Sequence, residues 1–204
     1  MKGLIICGYP GVGKSSVAGW GKCIDLESSW FSQDKDGNHI YPDEAWCEKY
    51  CELAIYLASQ GFTVLLSTHQ AVINTLRDYQ LMLKCYRVKV VIFAPRPGMK
   101  KEWTLRLFNR YMESEEEKDL RAFVGAIEYW DSKLATIAHS DFPVYSPDTI
   151  DYDFRDYILK IREREWIVDA PKTGSPLEPM AGVAETSMDV PMVAKDPDIS
   201  TSEP

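Results

Sequence analysis

Gly8-Tyr9-Pro10-Gly11-Val12-Gly13-Lys14-Ser15 stands directly after the apolar run Leu4-Ile5-Ile6-Cys7. The eight residues fit G-x-x-x-x-G-K-S, the P-loop pattern. The preceding run reads as a β-strand, so the order is strand, glycine-rich turn, helix start. Glycines let the backbone curl around phosphate with its N–H groups pointing inward. The positive end of the following helix favours an anion. Gly8, Tyr9, Pro10, Gly11, Val12, Gly13, Lys14, Ser15 and Ser16 are therefore expected to hold nucleotide phosphates. Lys14 supplies a point charge for the outer phosphates, and the Ser15 hydroxyl suits Mg²⁺.

Working outward, residues 1–169 alternate strand and helix patterns. Strands are expected at about residues 2–7, 22–26, 62–66, 88–93 and 142–145. The helix from Lys14 must be short, because Gly19 and Gly21 interrupt it. A longer helix opens at Pro42-Asp43-Glu44 and ends at Gly61, with Trp46, Tyr50, Leu53, Ala54 and Leu57 at helical spacing. Further helices are expected at about residues 71–84, 99–112, 118–138 and 153–162. Five strands alternating with helices imply an α/β fold, a five-stranded parallel sheet covered on both faces. Such sheets bind ligands beyond the carboxyl ends of their strands.

Composition narrows the classes. The 204 residues are 45% hydrophobic, enough for one core but not for two large domains. The net charge of −8 does not favour a nucleic-acid surface. No apolar run approaches membrane-spanning length, and the strand beginning near Lys2 leaves no space for a signal peptide. Cys7, Cys23, Cys47, Cys51 and Cys85 read as reduced packing residues of a cytoplasmic protein. Residues 170–204 contain no aromatic side chain and hold six of the twelve prolines. Two basic residues against six acidic ones give this segment a charge of −4. It is expected to be a disordered acidic, Pro-rich tail, either solubilising or docking a protein partner.

The strand ends carry the candidate chemistry. Asp25-Leu26-Glu27-Ser28-Ser29 follows the second strand. Asp25 is placed to orient an acceptor hydroxyl, take its proton, or serve Mg²⁺. Ser28 and Ser29 suit substrate hydrogen bonds, and a turn cap is the competing role for Asp25 and Ser28. The third strand ends Ser67-Thr68-His69 and lacks the acidic Mg²⁺ ligand common there. That speaks against an ATPase motor and makes Asp25 the better metal-site candidate beside Ser15. His69 is a candidate substrate ligand. After the fourth strand, Arg106 and Arg110 lie four apart on one helix face. Two guanidinium groups so placed can clamp a transferring phosphate. A salt-bridged surface face is the alternative, with Glu102, Glu113 or Glu115-Glu116-Glu117 as partners, while Leu105 and Phe108 turn to packing. Asp34, Asp36 and Asn38 resemble the start of a calcium loop, but His39 and Ala45 stand where glycine and glutamate are needed. They read as a polar turn.

Taken together, these residues resemble the small P-loop kinases related to adenylate, gluconate and shikimate kinases, over about residues 2–165. Small kinases of phages and bacteria are similar in three stretches: Asp25 to Ser29, Ser67 to His69, and Lys100-x-x-Trp103-x-x-Arg106-Leu107-x-x-Arg110. The resemblance implies a three-layer P-loop sandwich with a helical lid after the fourth strand. It implies ATP and Mg²⁺ as cofactors, and lid arginines, here Arg106 and Arg110, that reach the phosphates. Asp-Gly-Phe-Pro-Arg of adenylate kinases is missing at the third strand. The implied activity is transfer of the γ-phosphate to a nucleotide, nucleoside or other small molecule. Two alternatives stay open: a kinase acting on a hydroxymethylated base in phage DNA, with a groove near Trp30, Phe31 and Lys35, and a partner-regulated P-loop NTPase or switch.

Overall fold

The computed structural model describes residues 3–42 and 44–167. The acidic tail expected at 170–204 lies outside the described residues. The order along the chain is β1 (Gly3–Gly8), α1 (Lys14–Val17), β2 (Cys23–Asp25), α2 (Ser29–Ser32), α3 (Glu44–Ser59) and β3 (Thr63–Ser67). Then come α4 (Gln70–Asp78), α5 (Gln80–Cys85), β4 (Val88–Phe93), a 3-10 turn (Pro97–Met99) and α6 (Lys100–Ser114). The chain closes with α7 (Glu117–Glu128), α8 (Trp130–Ala138), β5 (Val144–Tyr145) and α9 (Phe154–Ile167).

The five strands form one parallel sheet in the order β2-β3-β1-β4-β5. This is an α/β sandwich, and α6 and α7 are the helices that follow β4 where a lid was expected. Leu4, Ile5, Ile6 and Cys7 alternate between the two faces of β1, and all four are buried. Both faces of the sheet are therefore covered, as near-continuous apolar strands require. The edge strands are short, which limits their unpaired backbone. Against β1 the helix α3 comes so close that a Cβ on Gly3 would lie 2.1 Å from the Ala58 carbonyl oxygen.

Several expectations are corrected. The helix expected at 71–84 is two helices, broken at Tyr79, whose backbone (φ −86°, ψ 16°) leaves the helical path. The helix expected at 118–138 breaks likewise at Tyr129 (φ −117°, ψ 16°). That break lets Trp130 turn into the core, where its indole N–H donates to the Pro97 carbonyl at 3.1 Å. The last strand starts at Val144 rather than at Phe142. Pro143 contributes only its carbonyl, which accepts from the Ile92 N–H at 2.8 Å. The single turn α2 was not expected. In α3, Leu53 is exposed, while Trp46, Tyr50 and Ala54 are buried. The polar turn at Asp34 is present: its carboxylate accepts from the backbone N–H groups of Asp36 and Asn38, each at 2.9 Å. None of the five cysteines is in a disulfide, and four are buried.

Candidate functional site

β1 is the central strand, so the loop that follows it opens at the middle of the sheet's carboxyl edge. Gly11 (φ 85°) and Gly13 (φ 90°) take left-handed backbone that a side chain would strain. A Cβ on Gly11 would also lie 2.9 Å from Leu107 Cδ2. The loop begins with the Tyr9 N–H bonded to the Phe93 carbonyl at 2.9 Å, and Ser16 Oγ closes it on the Gly13 carbonyl at 2.7 Å.

Three successive carbonyls of this loop are held from outside. The Trp103 indole N–H donates to Pro10 at 2.9 Å. The Arg106 guanidinium donates to Gly11 at 3.4 Å, and the Tyr152 hydroxyl to Val12 at 3.0 Å. Trp103 and Tyr152 stack with ring centroids 6.3 Å apart, and Arg106 lies over both, 5.5 and 5.2 Å from the ring centres. Tyr9 packs edge-on against Trp103 and Trp130. These donors occupy three carbonyls and fix the loop; of its amides, those of Tyr9, Val12 and Ser16 bond to carbonyls, and the others remain to meet an anion. Sequence reasoning gave Trp103 and Tyr152 no role. Tyr152 lies 140 residues from Val12, a pairing that no local pattern signals.

A cleft of about 1090 Å³ opens over the loop. The loop residues Pro10 to Ser16 line it, as do Ser28, Arg106 and Arg110. Lys14, half-buried, donates to the Gly8 carbonyl at 3.3 Å. Burial lowers its pKa from the usual lysine value, and the nearby Asp25 and Glu27 carboxylates oppose that shift. Asp25 shows the mirror case: burial raises its pKa, against the pull of Lys14. The Ser15 hydroxyl donates to Asp25 Oδ2 at 3.1 Å, so the two expected Mg²⁺ ligands meet. The other carboxylate oxygen, Oδ1, is buried with no hydrogen-bond partner. A hard cation takes oxygen donors of this kind, and Ser15 with Asp25 could hold one by direct or water-borne contact. Among the described residues no group of three or more His, Cys, Asp or Glu forms a metal cage.

The lid arginines differ from one another. Arg110 pairs with Asp119, which is only 4% exposed and also accepts from the Ser114 hydroxyl at 2.7 Å. Its partner is thus on α7, and none of the glutamates suggested by spacing. Arg106 uses a loop carbonyl and two aromatic faces. On α6 the packed residues are Trp103 and Leu107, whereas Leu105 is 56% exposed and Phe108 meets Phe123 near the surface. Ser29 opens α2, is exposed and does not line the cleft; Ser28 does. His69 precedes α4 and lines a smaller cavity of about 310 Å³, with Lys14, Ser67 and Lys133. Its ring lies edge-on to Trp46. Of the residues suggested for a DNA groove, Trp30 is exposed, but Phe31 packs against Tyr50 at 5.2 Å.

No family model matches the chain, and no curated protein does. Among solved structures, the shikimate kinase from Bacteroides thetaiotaomicron is similar, with 15% identity and a TM-score of 0.44. The match covers 81% of this chain and 97% of that one. At this level of likeness no chemistry transfers from one protein to the other. No helix among the described residues is long and apolar enough to cross a membrane.

Proposed function

We propose that this chain is an ATP- and Mg²⁺-dependent phosphotransferase that moves the γ-phosphate to a small-molecule or nucleotide acceptor. The observation that carries this reading is the meeting of Ser15 and Asp25 beside Lys14, under two arginines that line the same cleft. Lys14 and the loop amides hold the β- and γ-phosphates. Mg²⁺, held by Ser15 and Asp25, would neutralise charge on the phosphate oxygens. Asp25 Oδ1 takes the proton of the acceptor hydroxyl as its oxygen bonds to the γ-phosphorus and ADP departs. The raised pKa of Asp25 makes it a stronger base than an ordinary carboxylate. Arg106 and Arg110 offset the charge on the transferring group. Ser28 contacts the acceptor from the cleft wall, while Ser29 does not line this cleft and His69 lines a second cavity that shares Lys14 and Ser67 with it. Five cysteines held as thiols suit a reducing cytoplasm.

The test is transfer from γ-labelled ATP with Mg²⁺ to a panel of nucleosides, nucleotides, sugars and hydroxymethyluracil-containing DNA. A labelled acceptor is the expected result. Label released only as free phosphate would replace this reading with that of an NTPase.

A further inference from the structure

The end of the cleft beyond Lys14 is bounded by Leu26, Glu27 and Ser28 below and by Glu116, Lys118 and Asp119 on the lid. Its charges are unusual for a site that would grip an acid. Lys118 is paired with Glu116 at 2.9 Å, and Arg110 with the buried Asp119. Each cation at this end thus already faces a carboxylate. Glu27 forms no ion pair among the described residues, and its field is felt at Lys14, Asp25 and Lys118 alike. Asp25 is not among the residues that line the cleft; it lies behind the lining Ser15, from whose hydroxyl it accepts, and its Oδ1 is buried and unpartnered.

We infer that the phosphate acceptor is a hydroxyl compound without an acidic group, neutral or cationic, and that Glu27 selects it. This rests on the phosphotransferase reading and narrows it. A phosphate or carboxylate on the acceptor would have to break an internal ion pair and lie against Glu27. A neutral polyol, a nucleoside or an amino alcohol instead offers O–H or N–H donors, which Glu27 accepts. Rejection by a like charge is a standard route to specificity, because the wrong partner is penalised directly.

The experiment compares matched acceptors with the full chain and Mg·ATP: nucleosides against their 5′-monophosphates, and hexoses against the corresponding hexonic acids. The expected kcat/KM favours the uncharged member by at least about tenfold, and Glu27→Lys shifts that ratio at least about tenfold toward the acid. Glu27→Gln falls between the two. Preference for the acid by the wild type, or a ratio unmoved by Glu27→Lys, overturns the inference and leaves the phosphotransferase reading standing. A second probe needs no turnover: crystals with a non-hydrolysable ATP analogue, soaked in sulfate. Sulfate between Glu27, Lys118 and Arg110 in the wild type overturns the inference; sulfate there only in Glu27→Lys supports it. Phosphate passing only to water defeats the transferase reading, and the sulfate result still reports on this end of the cleft.

Discussion

Replacing Asp25 with asparagine separates the roles a carboxylate can play beside a P-loop. The amide is nearly isosteric, and its oxygen can still accept from the Ser15 hydroxyl, which now lies 3.1 Å from Oδ2. The loop geometry that grips nucleotide is therefore kept. What disappears is a negative charge and a proton acceptor. Loss of a positioned base costs about 10²–10⁴ in rate, roughly 3–5 kcal/mol of barrier. Nucleotide affinity should fall far less than turnover, because Lys14 and the loop amides still hold the phosphates. Steady-state kinetics with ATP and the identified acceptor, together with calorimetric ATP binding, read the two effects separately. Parallel loss of kcat and ATP affinity would refute the base role and leave Asp25 a binding residue only. Stability supplies an independent check. Burial raises the Asp25 pKa above its ordinary 3.8, so the folded state holds this proton more tightly than the unfolded one. Stability of the wild type therefore falls as pH rises from 3.8 through the raised value, and then levels off. Urea unfolding of both proteins across that window should show their difference growing in favour of Asp25→Asn. A difference independent of pH would contradict the burial argument.

Lys14→Ala should abolish transfer while Tm moves by no more than about 3 °C, measured by label transfer and thermal melting; retained transfer would sink the loop mechanism. Asp119→Ala strips Arg110 and Ser114 of a buried partner and should destabilise the fold by about 2 kcal/mol, discounted for the partly exposed arginine. It should also lower kcat more than it raises KM for ATP, and urea curves with kinetics test both effects. Tyr152→Phe removes only the hydroxyl that meets the Val12 carbonyl at 3.0 Å. It should cost about 1 kcal/mol and weaken ATP binding by a few-fold, as read by calorimetry; unchanged affinity would mean that the loop keeps its shape without this tie.

The parts of the molecule legible in sequence are those written in local patterns. The loop after β1, the buried β4 and the short α1 limited by Gly19 follow from spacing, glycine and apolar runs. Asp25 was legible because a strand end beside a P-loop is a small target. The helix breaks at Tyr79 and Tyr129 were not, since neither carries Gly or Pro. At Tyr129 the break follows from the need to bury Trp130, a tertiary demand that overrides propensity. The partner of Arg110 was hidden for a related reason. The glutamates nearby in sequence were the partners on offer, and the fold brings Asp119 back from the next helix instead. The order β2-β3-β1-β4-β5 likewise depends on which strands pair, and apolar periodicity does not encode that.

The tie between Trp103 and the Pro10 carbonyl has a spectroscopic consequence. An indole whose N–H is bonded to the phosphate loop shifts its emission whenever that carbonyl turns or the local field changes. Trp130 stands on the other side of Tyr9 and senses the same segment. The protein therefore carries its own reporter of loop occupancy. Nucleotide arrival can be timed by stopped-flow fluorescence without a label, and Trp103→Phe is the control that removes this indole's share of the signal.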